Sequence, residues 1–326
     1  MIVRRWDGWP LRIVATILAG STAASGPSDA EADPPPTASH YVVSSGDNQS
    51  PDAQGYQSGC ADGRTGQSGP RILLFGTQES DGRIRPPGTT RSSPAERVSQ
   101  EWVSKAAVGW MRGFTECGKA NAMLALGVNN KSDGGANPAR AGADWARLVT
   151  AVASAAPAGR IVVGGAMDAE PGWSAATWAR GWVDAYVGGT SRTLVAAGSA
   201  DGCPTDASTE ACARGWTVAD VFHISTAAAK TVVALPQIYR TDGIQARQWA
   251  AISAWGVHSG KGPLRVVGVL SQRVACRQKS GCPNTDNSAG DARDQLTNAL
   301  ASNSATRSTV PLVASDMDWP NLPASP

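Results

Sequence analysis

The stretch RIVVGGAMDAEPGW, residues 160–173, decides how the rest of the chain is read. It opens as a continuous apolar run and ends in two carboxylates, Asp168 and Glu170, followed by Pro171, Gly172 and Trp173. A run that is apolar without alternation fits a parallel strand buried on both faces. Pro-Gly then stops it. Side chains alternate along a strand, so Asp168 and Glu170 share one face, about 6–7 Å apart. Two carboxylates that close disfavour simultaneous ionisation, which raises one pKa and makes that group a usable acid near neutral pH.

Working outward, the same texture recurs in RILLFGTQ (71–78), NAMLALGVNN (121–130), TLVAAGSADG (193–202), ADVFHIST (219–226), TVVALPQIY (231–239), LRVVGVLSQ (264–272) and TVPLVASDMDW (309–319). Amphipathic stretches lie between several of them. PAERVSQEWVSKAAVGWMRGF places Pro94 in a helical first turn and Val98, Trp102, Ala106 and Trp110 on one face. ADWARLVTAVASAA, SAATWARGWVDAYV, IQARQWAAISAW and DARDQLTNALAS have similar patterns. Eight runs with interleaved helices predict an α/β fold, a (β/α)8 TIM-like barrel with irregular connections around strands 4–6. A Cys-bounded loop follows the fourth run, and only TAAAK separates the fifth from the sixth. The fifth could instead belong to a helix starting at Trp216, leaving seven strands. The rival architecture is a doubly wound open sheet, but no glycine-rich phosphate loop follows the first run.

In such a barrel the chemistry sits at the carboxyl ends of the strands. Those ends carry Gln78 and Glu79, Asn129, Asp168 and Glu170, Ser199 and Asp201, Ser225, Gln237 and Tyr239, Gln272, and Asp316 and Asp318. The strand starts are largely apolar. ASDMDWPN (314–321) echoes the opening motif, with Asp316 and Asp318 on one face and Trp319-Pro320 after them. First and last strands adjoin in a closed barrel while the third lies across the mouth, so Asp316 or Asp318 could supply a partner carboxylate to Glu170. Gln237 and Tyr239 offer an amide and a phenol that hydrogen-bond hydroxyls or steady a carboxylate, and equally suit satisfied core positions. Trp173 can floor a sugar ring.

Composition narrows the classes. The net charge is +2 and no basic stripe stands out, which argues against nucleic acid as a partner. Only His40, His223 and His258 are present, and no Cys-x-x-Cys or His-Glu-x-x-His occurs, so no metal is expected. There is no Gly-x-Ser-x-Gly elbow for a serine nucleophile. His223 lies inside an apolar run and reads as a buried imidazole. Twelve Trp against three Phe and four Tyr suit sugar stacking and helix-to-barrel packing alike.

Residues 1–30 read as an export signal: the positively charged MIVRRWDGWPLR, the short apolar IVATILAG, then small residues with cleavage after Ala23, Ala24 or Ala30. The apolar core is too short to span a bilayer, so no stable membrane anchor is expected. Residues 31–68, rich in Pro, Ser, Gly, Asp and Gln with HYVVSS as the one apolar island, read as a linker or disordered arm. The barrel then spans 69–320, with a tail at 321–326. Six cysteines in an exported chain imply disulfides. Spacing favours Cys203–Cys212 and Cys276–Cys282 as loop staples, leaving Cys60–Cys117.

With GGAMDAEPGW, the paired Trp178 and Trp182, GSADGCP, GWTVADVFHIST running into ALPQIY, and QARQWAAI in that order, the chain resembles secreted actinobacterial proteins with a glycoside-hydrolase-like TIM barrel. The resemblance covers roughly residues 70–320. A more distant likeness is to lysozyme-type hydrolases with Asp-x-Glu at a strand end. Carried over, it makes Glu170 the proton donor and Asp168 its partner. Those hydrolases have an Asp near the end of the first strand, where this chain has Gly76-Thr77-Gln78.

The expectation is an exported, monomeric barrel that cleaves a glycan of the cell wall or its surroundings by carboxylate acid/base chemistry. Glu170 is the general acid and Asp168 the nucleophile or stabiliser. Asp316 is a third catalytic carboxylate, and Trp173, Gln237, Tyr239, Asp318, Gln78, Asn129 and Gln272 bind substrate. No cofactor is required. The alternative is a barrel that binds a glycan or envelope polymer without cleaving it; a poorer one is an ester or amide hydrolase.

Overall fold

Parallel strands and the helices that return between them form the framework of the described residues. The computed structural model describes residues 35–44, 49–206 and 209–320. The first half holds β1 (Thr37–Tyr41), α1 (Pro51–Arg64), β2 (Gly69–Gln78), β3 (Ile84–Arg85), α2 (Gln100–Cys117), β4 (Ala122–Asn129) and α3 (Pro138–Ser154). Next come β5 (Ile161–Asp168), α4 (Ala176–Gly189), β6 (Leu194–Ala196), α5 (Val218–Phe222) and β7 (Val232–Ala234). The last are α6 (Ile244–His258), β8 (Gly268–Ser271), α7 (Arg273–Gln278), α8 (Ala289–Ala301) and β9 (Val313–Asp318).

The parallel strands lie in the order β7-β6-β5-β4-β2-β1-β9-β8, and β3 pairs antiparallel with β2. The bridges Ala234–Val266 and Gln237–Leu270 join β8 back to β7, so the sheet closes into an eight-stranded barrel. Alternation then sorts the side chains. Leu73, Phe75, Val163 and Met167 face the helices, in one apolar cluster with Trp110, Trp145 and Trp182. Ile72, Leu74, Ala125, Ala166, Val195, Leu235, Leu270 and Met317 fill the barrel interior.

The eight strands are not the eight runs. ADVFHIST is helical: α5 is followed by a π turn, His223–Ala227. Thr217 and Asp220 form a capping box that starts α5, and Val221 and Phe222 are buried against the other helices. The missing strand is β1, inside the segment expected to be a linker or disordered arm. Its residues are small or polar, and their partners lie far away in sequence. Ser39 bonds Ser315 at 2.7 Å and accepts from the Ile72 amide at 2.9 Å. His40, on the opposite face, lies between Asp318 (2.5 Å) and Asp62 (2.8 Å). β1 therefore separates β2 from β9, and the first and last runs are not neighbours.

The same segment carries α1, whose composition hides its packing. Gly55, Gly59 and Gly63 recur every fourth residue and lie against α2, where a Cβ on Gly59 would come 2.0 Å from the Trp110 carbonyl oxygen. Conversely, a Cβ on Gly113 would come 2.1 Å from the Tyr56 carbonyl oxygen. The helices touch backbone to backbone, so the glycines that lower helix propensity create the contact. Cys60–Cys117 staples this pair, and Cys203–Cys212 and Cys276–Cys282 close the two loops as spacing predicts. α2 starts at Gln100 with Ser99 as its cap, later than the Pro94 start expected, because Val98 is held in a bridge to Ile84. The export signal and the tail at 321–326 lie outside the described residues.

Candidate functional site

β5 delivers the acidic pair. Ala166 packs in the barrel interior, and alternation carries Asp168 and Glu170 to the same side at the mouth. Asp168 is buried and accepts a 2.7 Å hydrogen bond from Gln237 Nε2, which also donates to the Ala197 carbonyl. Glu170 is half-buried above it. Its backbone is clamped by Asn130, whose Oδ1 accepts from Glu170 N and whose Nδ2 donates to Glu170 O, both at 3.0 Å. Asn130 also reaches Ser174, so one buried amide fixes the whole turn after β5.

The surroundings favour protonated carboxyls. Burial pushes Asp168 up to about 7, although the Gln237 hydrogen bond and the Lys131 charge pull it down. Burial raises Glu170 well above the ordinary carboxylate range, Asp168 and Asp201 raise it further, and Lys131 and Gln237 oppose them. The two groups behave as one coupled pair that holds a proton where isolated carboxyls would have lost it. Tyr239 and Tyr41 meet at their hydroxyls beside this pair. Burial is the largest cause holding each phenol neutral. Beneath lies a narrow space lined by Ile72, Leu74, Asp168, Gln237, Tyr239 and Met317.

Aromatic rings flank the mouth. Trp173 follows the turn after Glu170, and Lys131 Nζ lies 4.6 Å from its ring centroid. Trp319 stacks on Tyr41 with centroids 4.5 Å apart. Asp201 accepts from Gln245 Nε2 at 3.0 Å, while Gln245 Oε1 accepts from the Tyr239 amide at 2.7 Å.

Of the residues singled out in the sequence, Asp168, Glu170, Gln237 and Tyr239 converge, with Trp173 beside them. Others do not. Asp316 and Asp318 share a face, but it is the outer one, since Ser315 and Met317 between and beside them turn inward. Asp318 pairs with His40. Asp316 meets the Ser271 hydroxyl and the backbone N–H groups of Arg273 and Val274; burial raises it to about 6 against those bonds. It therefore supplies no partner carboxylate to Glu170. Gln78 is turned away by a bulge at Gly76, where φ is +109° and a Cβ would lie 2.1 Å from the Arg85 carbonyl oxygen. It faces the helices, accepting from Trp182 Nε1 and donating to the Ala141 carbonyl.

Asn129 shares the interior face with its register partner Asp168, and its Oδ1 accepts from the Thr77 hydroxyl and the Lys131 amide, tying the strands. Gln272 donates to the Thr285 carbonyl in a neighbouring loop. His223, expected inside a strand, pairs with Asp184 at 2.6 Å on the helical layer. Tyr41, Asn130 and Lys131 were missed. Asn130 and Lys131 directly follow a strand end already singled out; Tyr41 belongs to the unrecognised strand. Among the described residues no three His, Cys, Asp or Glu gather as a metal site, and no helix is long and apolar enough to cross a membrane.

No known protein-family profile matches the chain, and no curated protein matches it. Among solved structures, the chain is similar to tamarind chitinase-like lectin (TCLL), with 11% identity, a TM-score of 0.37, and coverage of 86% of this chain and 92% of that one.

Proposed function

We propose that the barrel mouth binds a glycan of the cell wall or extracellular space and hydrolyses a glycosidic bond, with Glu170 as general acid. The observation that carries this reading is the pair of carboxyls on one face at the end of β5, Asp168 and Glu170, where burial and the neighbouring carboxylate raise the Glu170 pKa. Glycosidic cleavage needs such an acid, because the leaving oxygen must receive a proton as its bond to the anomeric carbon breaks. Asp168 lies beneath Glu170, buried and bonded to Gln237, so its role is to hold the proton on the pair rather than to attack a sugar. Asp201, exposed and held by Gln245, takes the proton of the attacking water. Water oxygen then bonds to the anomeric carbon, and the Glu170 proton departs with the leaving sugar. Tyr239, Tyr41 and Trp173 orient the ring. Three disulfides support an extracytoplasmic site of action.

A second reading rests on the narrowness of the cavity: the space under the mouth has room for little more than one water. A glycan then lies across the mouth and is bound without cleavage. Glu170→Gln separates the two. Wild type and variant are incubated with soluble oligosaccharides from cell-wall and extracellular polymers, products are read by mass spectrometry, and binding by calorimetry. Turnover lost with binding kept supports the hydrolase, whose activity also falls as pH rises and Glu170 deprotonates. Binding without turnover in wild type, weakened in the variant, replaces it with the binding module.

A further inference from the structure

Around the barrel, β5 and β9 are each four strands from the other by either route, so the residues that follow them stand on opposite sides of the mouth. Those residues are Trp173 and Trp319. Eight strands about 4.8 Å apart and tilted about 36° enclose a diameter of about 15 Å, a span for several sugar rings rather than one.

Both indoles are built in firmly. Trp319 N donates to Gln278 Oε1 at 2.7 Å and Gln278 Nε2 donates to Trp319 O at 3.0 Å. Its ring stacks on Tyr41, whose neighbour His40 pairs with Asp318. Trp173 N donates to Glu170 O at 3.1 Å, and Trp173 O accepts from Ser132 N. Each ring also carries a cation: Lys131 Nζ lies 4.6 Å from the Trp173 centroid and Lys279 Nζ 4.4 Å from that of Trp319. Among the described residues each ammonium rests on an indole and neither forms an ion pair. The contact is weak enough at an exposed site to be exchanged, and a neutral sugar has nothing to offer the displaced charge.

We propose that the mouth takes an acidic glycan, a polysaccharide whose rings carry carboxylates that draw Lys131 and Lys279 off the two indoles and so let sugar rings stack on Trp173 and Trp319. This rests on the glycan reading above and adds the charge class of the ligand. Lys131 sits on the acid side of the mouth, where its charge reaches Asp168 and Glu170, so a carboxylate bound there also places a ring beside Glu170.

The test is titration calorimetry with a uronic-acid oligosaccharide and a neutral oligosaccharide of equal length, at about 0.02 M and about 0.5 M salt. Wild type, Lys279→Gln, Lys279→Arg and the double variant Lys131→Gln/Lys279→Gln are compared, each checked by its melting curve. The expected result is about tenfold tighter binding of the acidic chain at low salt, the sum of two exposed ion pairs. That preference disappears in the double variant and at high salt, and Lys279→Arg retains it. Equal binding of both chains, or a preference that survives the double variant, overturns the proposal while the glycan reading stands. Binding of neither chain removes the glycan reading and this inference with it.

Discussion

Replacing Asp168 by Asn tests the buried acid directly. In the unfolded chain this carboxyl ionises near 3.8, whereas burial in the barrel moves it to about 7. Below 3.8 both states hold the proton and the residue is neutral toward stability. Between the two values the unfolded chain has released its proton while the folded chain keeps it, so the unfolded state binds fewer protons and stability falls with rising pH. The cost is complete above about 7. At 1.36 kcal/mol per pKa unit the interval corresponds to about 4 kcal/mol, an upper bound because Glu170 shares the proton. Asn keeps the size and still accepts from Gln237 Nε2, whose bond is 2.7 Å in the native chain. Urea unfolding of both proteins with disulfides intact, at pH 4.5 and pH 8, measures the effect. The variant should be more stable than wild type at pH 8, by up to about 4 kcal/mol, with the difference shrinking at pH 4.5. A difference equal at the two pH values, or a variant less stable at pH 8, refutes the reasoning.

Two further perturbations probe the first βα unit. Burial alone would lower the His40 pKa, but Asp62 and Asp318 outweigh it and lift the ring from 6.5 to about 10. The stabilisation is therefore full below 6.5 and lost as pH rises through 10; nitrogen NMR should show an imidazolium at pH 8, and a neutral ring there would sink the assignment. Gly59→Ala puts a methyl 2.0 Å from the Trp110 carbonyl oxygen and must separate α1 from α2. It should cost about 3 kcal/mol, and an unchanged melting curve would show that the helices are not in contact.

The class of fold and the pairing of Asp168 with Glu170 on one face were legible in the sequence alone. RIVVGGAMDAEPGW is apolar where a strand is buried on both faces, and its period of two puts Asp168 and Glu170 together. Gln237 and Tyr239 were legible for the same reason, at the end of another apolar run. Three things needed the tertiary structure. Polar β1 and glycine-rich α1 are stabilised by partners distant in sequence, so local composition reads them as a linker. The capping box at Thr217 outweighs the strand-like texture of ADVFHIST. Finally, alternation says that Asp316 and Asp318 share a face but not which face. Pairing with β1, with Ser39 against Ser315 and His40 against Asp318, turns both outward. At Gln78 the bulge at Gly76 reverses the same parity. A carboxylate's residue type is local, but the direction it faces is set by strand register, and register is a property of the closed barrel.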